Sequence, residues 1–259
     1  MLALARKSLR DWHWLVFFAA ILAAWAGLYA MQLPADLLDG AQIYGAEFWA
    51  TLCRVEPGLA GYPTAFLMWA LMAAAMMAPT FVPALATFDD LAGAGAASRR
   101  GFAELLGGYG AIWLGFSLLA ALAQVLLAQS AMLSPLGQSA SPWLTAGLLI
   151  AAGAYQFSAL KDACLTQCMA PFSFFMRHWR DTRWNAAKLG LRLGTLCLGC
   201  CWALMLLGFV GGTMNLAWMG AATVLMVLEK LPQASRFIVR PLGVVLIFAG
   251  LAVATGTVI

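Results

Sequence analysis

Three cysteines stand close together in the segment CLGCCWALM, residues 197–205. Positions i, i+3 and i+4 lie on one face of a helix, so Cys197, Cys200 and Cys201 would project into one sector of about 100°. Thiolates select soft ions such as Cu(I) and zinc, and a bound cation compensates a negative charge that apolar surroundings disfavour. The spacing therefore predicts a soft-metal site. Cu(I) is the favoured ion because two or three sulfurs are enough to hold it.

A second pair of thiols, Cys164 and Cys168 in CLTQC, has the helical i, i+4 spacing. We expect both thiols to share a face near the inner edge of the membrane and to meet the cysteine-bearing side of the next helix. Methionine also binds Cu(I), and Met72 and Met76 belong to a row spaced by four residues. The predicted metal ligands are Cys164, Cys168, Cys197, Cys200, Cys201, Met72 and Met76.

Packing offers a second interpretation of the same residues. Small residues let membrane helices approach closely, and GLRLG at 190–194 has the GxxxG form on nearly the same stripe as the cysteines. Cysteine and methionine also serve as packing residues in cores. Cys53 stands alone in the predicted outer loop, so we expect no structural disulfide there and no effect of serine at that position.

The helices that carry these residues are predicted to lie in a bilayer. The chain is 63% hydrophobic and only 10% charged, whereas soluble domains average about a quarter charged residues. A span needs ~20 mostly apolar residues. The predicted fold is an all-α bundle of about seven transmembrane helices in one integral membrane domain, residues 1–259. The spans are 13–31, 64–86, 103–128, 142–160, 188–210, 213–229 and 237–258, and the first is a retained helix rather than a cleaved signal.

The basic residues give an orientation to this bundle. If the N-terminus is cytoplasmic and the C-terminus outside, all of the 15 lysines and arginines except Arg54 fall in inside segments. Such an excess is typical of cytoplasmic loops. The sequence therefore predicts a multi-pass protein of the bacterial inner membrane. Its basic charge indicates contact with anionic lipid head groups and not with nucleic acid.

Several segments together resemble a bacterial family of uncharacterised membrane proteins that is labelled as predicted metal-binding integral membrane proteins. The resemblance covers roughly helices two to six. It implies an all-helical inner-membrane protein whose functional positions are the five clustered cysteines, and it implies no particular reaction. The segments are MMAPT (76–80), YQFSALKDACLTQC (155–168), CLGCCWALM (197–205), GTMNLAWM (212–219) and EK (229–230).

The favoured function is that of a soft-metal protein that binds or handles Cu(I) at the inner membrane. Its expected partners are the lipid bilayer and either a membrane complex or a metal-chaperone protein. Two alternatives stay open: an assembly or scaffold subunit whose cysteines only pack, and a membrane thiol oxidoreductase, which usually needs a reactive and accessible cysteine pair. The sequence has no Walker loop, GxSxG or HExxH motif, so no enzyme activity is assigned.

Two local expectations concern charged residues near the ends of these helices. The fourth helix is expected to run on through Lys161, because no proline interrupts it before Pro171. Glu229 is expected to form an interfacial charge pair with Lys230 at the end of the sixth helix, with a proton or metal ligand as the alternative role.

Overall fold

The helices of this chain follow its apolar segments closely. The computed structural model describes residues 12–32, 58–93, 99–180, 182 and 184–256. Within these ranges the fold is all-helical, as predicted, apart from one isolated bridge between Leu133 and Ser139. The helices are α1 (Trp12–Ala30), α2 (Tyr62–Gly93), α3 (Arg99–Gln129), α4 (Pro142–Tyr155), α5 (Ala159–Cys168), α6 (Pro171–His178), α7 (Asn185–Leu206), α8 (Gly208–Gly211), α9 (Leu216–Glu229) and α10 (Ser235–Ala254).

Five of these helical segments are long and apolar enough to cross a membrane: α1, α2, α3, α7 continued by α8, and α10. A sixth arises only if α4 and α5, which are bent by 64°, count as one span. Helix α9 has 14 residues, which gives it a length of about 21 Å against a hydrocarbon core of about 30 Å. The described residues thus contain five or six candidate spans where the sequence predicts seven.

The fourth predicted span is broken, so the expectation of a helix running on through Lys161 is wrong. Helix α4 ends at Tyr155, and α5 begins on a new axis after three intervening residues. Ser158 starts the new helix because its hydroxyl accepts a hydrogen bond from the backbone N–H of Lys161 at 3.1 Å. Serine is among the preferred N-cap residues, and this local cap competes with helix continuation.

Helix α2 stays a single helix across Pro79 and Pro83. A proline has no N–H and leaves the carbonyl four residues earlier without its helical partner. For Pro79 that carbonyl belongs to Ala75, and it accepts a hydrogen bond from the indole Nε1 of Trp25 on α1 at 3.1 Å. The neighbouring helix therefore satisfies the backbone group that the proline frees.

The glycine stripe of α7 packs against α3. A side chain at Gly190 would meet the backbone of Leu105, and one at Gly194 would lie 3.0 Å from the side chain of Ile112. Gly108 of α3 lies equally close to the backbone of α7. The predicted GxxxG contact therefore exists, but its partner is α3 and not the segment that carries Cys164. It fixes α3 against the cysteine-bearing helix.

Candidate metal centre

The thiols of Cys197, Cys200 and Cys201 form one compact cluster on α7. Their sulfur atoms all lie within 4.8 Å of one another, and each residue is about 1% exposed. The Cys200 and Cys201 sulfurs are 3.3 Å apart, and the Cys200 thiol donates a hydrogen bond to the Cys197 carbonyl at 3.1 Å. A thiolate lies about 2.3 Å from an ion such as zinc, so sulfurs at this separation can reach one ion together.

A positive charge lies directly against the cluster. The Nζ atom of Lys230 is 2.9 Å from the sulfur of Cys197, and it also donates a hydrogen bond to Thr80 Oγ1 at 2.8 Å. Lys230 is the first residue after α9, so the end of that helix aims the ammonium group at α7. An ammonium group in this position stabilises a negative charge on the Cys197 sulfur.

Tyr109 of α3 closes another side of Cys197. Its hydroxyl lies 3.0 Å from the Cys197 sulfur and donates a hydrogen bond to the Met77 carbonyl at 3.1 Å. The ring stacks on Phe81 of α2, with the ring centroids 3.8 Å apart and the planes within 9°. Helix α2 therefore holds the phenol in a fixed position beside this one sulfur.

The predicted pair Cys164 and Cys168 lies against α7, but the two thiols differ in burial and in the residues that they meet. Cys164 is buried against α7, where a side chain at Gly199 would come within 2.6 Å of its sulfur. Cys168 is half-buried at the end of α5 and lines a cavity together with Cys197. Helix α5 thus packs on α7, as expected, with Cys164 against Gly199 and Cys168 beside the cavity that Cys197 also lines.

Met72 and Met76 are both buried in α2. In the next turn of α2 the Thr80 hydroxyl lies 3.9 Å from the Cys197 sulfur, and the Met77 carbonyl accepts a hydrogen bond from Tyr109. A role for the two predicted thioethers as copper ligands stays a prediction.

Glu229 is paired with Lys161 and not with Lys230, which corrects the expected interfacial pair. The Lys161 Nζ atom lies 2.8 Å from Glu229 Oε2, and both side chains are about 1% exposed. The second carboxylate oxygen, Oε1, is buried without a hydrogen-bond partner among the described residues. Lys161, which the sequence places in an inside loop, is therefore part of the protein core.

Sequence reasoning missed three residues that touch Cys197: Thr80, Tyr109 and Lys230. A signal for two of them is present, since Thr80 is the polar residue of MMAPT and Lys230 the cation of EK. Tyr109 carries a weaker signal as the only hydroxyl-bearing aromatic residue in the apolar run of α3. Cys53, also singled out in the sequence, lies outside the described residues.

The donor set fits a soft monovalent cation. Two thiolates and one Cu(I) carry a net charge of minus one, and the adjacent ammonium group brings the total to zero. A buried site is far less costly when its charges are balanced in this way. Zinc in structural sites takes four ligands, whereas the cluster offers three cysteine sulfurs, which suffices for Cu(I).

Comparison with known proteins points to the same chemistry. A family model described as PpoB2, copper chaperone, matches residues 66–253. The match covers most of the chain and includes all five clustered cysteines together with Thr80, Tyr109 and Lys230. Neither the curated proteins nor the solved structures contain a match to the chain.

Proposed function

Because the chain belongs to the copper chaperone family, we propose that it holds Cu(I) as cargo on Cys197, Cys200 and Cys201 while it is inserted in the bacterial inner membrane. It accepts the ion from one sulfur ligand and gives it to another, so copper–sulfur bonds are exchanged and no oxidation state changes. Cys168 acts in this exchange as an accessory ligand, and the bilayer and a copper-carrying partner protein complete its surroundings.

The observation that carries this proposal is the compact group of three buried thiols. Thiols that merely fill space need not lie together, but the sulfurs of these three all lie within 4.8 Å of one another. Soft sulfur ligands retain Cu(I) against water and harder donors. Exchange between sulfur ligands also lets a chaperone pass the ion on without releasing it.

The lysine beside the cluster supports retention in apolar surroundings. A bis-thiolate copper centre is anionic, and an uncompensated charge within a membrane is costly. Lys230 lies 2.9 Å from Cys197 and supplies the opposite charge. The arrangement therefore suits a site that loads and unloads inside a mostly apolar bundle.

The lengths of α2 and α3 support a protein that is inserted in the membrane with its copper site near the cytoplasmic boundary. Helices α2 and α3 have 32 and 31 residues, so each is about 46–48 Å long and exceeds the hydrocarbon core of about 30 Å. If Tyr62 marks the outer end of α2, Thr80 lies about 27 Å further in. On this orientation, which the basic loops favour, the site faces a cytoplasmic carrier.

The direct test is Cu(I) binding by the purified protein under reducing conditions. Titration against a chromophoric Cu(I) chelator should give one tightly held ion per chain. Serine at both Cys197 and Cys201 should abolish this binding and leave the protein folded, because serine is close to cysteine in size. Serine at Cys53 is the matched control and should leave the stoichiometry unchanged.

Two results would reject the proposal. One is a wild-type protein that takes up no Cu(I) under these conditions, and the other is a double variant that retains the full stoichiometry. Either result would favour the scaffold interpretation, in which the cysteines serve only to pack α7 against its neighbours.

A further inference from the structure

A small cavity beside the cluster connects it with the protein surface. Its volume is about 120 Å³, and its walls come from α2, α3, α7 and the two turns that follow α5 and α9. Its sulfur-bearing residues are Cys168, Met169 and Cys197. Of the three clustered cysteines, only Cys197 is part of this wall, and Cys200 and Cys201 lie behind it.

The sulfur-bearing residues of the cavity differ in how deeply they are buried. Cys168 and Met169 are half-buried, whereas Cys197 is about 1% exposed. The Cys168 side chain also interacts with the Cys200 thiol, which links the cavity wall to the deeper part of the cluster. Lys230, Thr80 and Tyr109 supply the polar part of the same cavity.

We infer that this cavity is the exchange site of the protein, where an incoming sulfur ligand hands Cu(I) first to Cys168 and Met169 and then to Cys197. The inference rests on the proposed function and specifies its route. A water molecule takes up about 30 Å³, so the cavity holds the ion with one sulfur side chain but not a folded domain. The donor therefore reaches in with a single thiol.

The exchange balances at every step. A bond between Cu(I) and the Cys168 sulfur forms while the bond to the carrier sulfur breaks, and the proton of the Cys168 thiol passes to the departing carrier thiolate. The Met169 thioether holds the ion without a proton change. Transfer to Cys197 then repeats the exchange, and any proton on Cys197 moves to the Cys168 sulfur. Copper stays Cu(I) throughout, so no oxidant or reductant is needed.

The turn between α5 and α6 explains why these two residues suit the role. Cys168 ends α5, Met169 follows as its C-cap, and Pro171 begins α6. Both sulfurs therefore lie where the chain changes direction, and not in the middle of a packed helix. Ligands at such a position can bind and release an ion without disturbing the packing of α7.

The test separates the rate of loading from the amount bound. Apo-protein is mixed with the Cu(I)–glutathione complex in a stopped-flow instrument, and the copper–thiolate absorbance is followed. Serine at Cys168 should slow loading at least tenfold and leave the final stoichiometry unchanged, and leucine at Met169 should slow it less. Cys53→Ser and Met176→Leu, at an exposed methionine of α6, are the controls and should load at the wild-type rate.

Alkylation gives a second measurement that does not depend on a variant. Brief treatment of the apo-protein with iodoacetamide should modify Cys168 before Cys197, as read by mass spectrometry, and the modified protein should load slowly. The same loading experiment with a Cu(I)-loaded Cys-X-X-Cys peptide in place of glutathione distinguishes a protein donor from a small thiol. The donor that loads the protein faster is the better model of the natural source of copper.

The inference and the proposed function fail in different ways. If the wild type loads copper and the Cys168→Ser variant loads it at the same rate, the exchange route alone is overturned. A Cys168→Ser variant that binds less copper at equilibrium would also overturn it, because Cys168 would then be a resident ligand. A wild-type protein that never loads would overturn the proposed function, and the route would fall with it.

Discussion

The ammonium group of Lys230 lies 2.9 Å from the sulfur of Cys197, although the two residues are 33 positions apart in the chain. Helix α9 carries the lysine to the cluster, and Thr80 holds it there through a 2.8 Å hydrogen bond. A hydrogen bond to a charged group contributes about 1.5–3 kcal/mol. If the cluster holds Cu(I) as proposed, this contact bears on how firmly the ion is held.

Methionine at Lys230 is expected to weaken Cu(I) binding by about ten- to a hundredfold, which corresponds to that energy range. It preserves the length of the side chain and removes the charge. Arginine at the same position keeps the charge and should retain more of the affinity. Competition with a Cu(I) chelator measures the difference, and Lys188→Met, at an exposed lysine of α7, is the control. Equal affinities for Lys230→Met and the wild type would show that the ammonium group plays no part.

The buried pair of Lys161 and Glu229 predicts a large effect on stability. Removing one partner of a buried ion pair leaves an unpaired charge and typically costs about 3–5 kcal/mol. Lys161→Met alone should therefore lower the thermal midpoint strongly. The double variant with Glu229→Met as well should be more stable than Lys161→Met, because no charge is then left unpaired. Thermal unfolding in detergent, followed by circular dichroism, measures this difference. A double variant that is no more stable than Lys161→Met would contradict the prediction.

Sequence alone could predict the all-helical fold and the common face of the three cysteines, because both follow from local periodicity. It could not predict the surroundings of Cys197. Lys161 and Lys230 were expected at the cytoplasmic ends of predicted spans, since a lysine beside an apolar run is normally at a membrane boundary. Lys161 is instead fully buried and Lys230 is half-buried against Cys197. Both positions depend on which helices pack together, and no local pattern encodes that.

The break in the fourth predicted span is another feature that the sequence pattern alone does not predict. The run from 142 to 160 is mostly apolar, and hydropathy does not reveal that Ser158 caps a new helix. The bend turns Cys164 towards Gly199 and leaves Cys168 at the cavity. Two thiols with perfect helical spacing were therefore predicted as one pair, although the structure gives them different neighbours.

The contact between Cys164 and Gly199 predicts that a substitution at Gly199 lowers stability and that a second substitution at Cys164 restores it. Alanine at Gly199 would set a methyl group 2.6 Å from the Cys164 sulfur, so the thiol must rotate away or α5 and α7 must separate. Overpacking of this kind typically costs about 1–3 kcal/mol. Gly199→Ala should therefore lower the thermal midpoint, and adding Cys164→Ala should restore most of it by removing the sulfur.

The matched control for this substitution is Gly147→Ala in α4. A methyl group there meets no atom within 4 Å, and alanine is the better helix former by about 1 kcal/mol. The midpoint should stay the same or rise slightly. If Gly199→Ala behaves like Gly147→Ala, the close approach of α5 to α7 is absent in the protein.

The orientation in the membrane predicts opposite locations for two loops. Reporter fusions after Leu133, between α3 and α4, should appear outside, and fusions after Thr182, between α6 and α7, should appear inside. The reason is the excess of basic residues around the second loop, since cytoplasmic loops carry such residues. A phosphatase reporter that is active only outside and a fluorescent reporter that folds only inside give the two measurements. The reverse pattern would contradict the orientation.

The short helix α9 decides whether the chain crosses the membrane seven times. It spans about 21 Å, less than a typical hydrocarbon core, but it brings Lys230 to the cysteine cluster, which we propose to lie near the inner boundary. We therefore expect α9 to run from the outer side to that depth, with the chain reaching cytoplasmic water at once. A cysteine introduced at Pro232, in a protein whose native cysteines are serine, should be labelled by a membrane-impermeant maleimide only after the membrane is opened. Labelling in intact spheroplasts would place this turn outside, and α9 would then not cross.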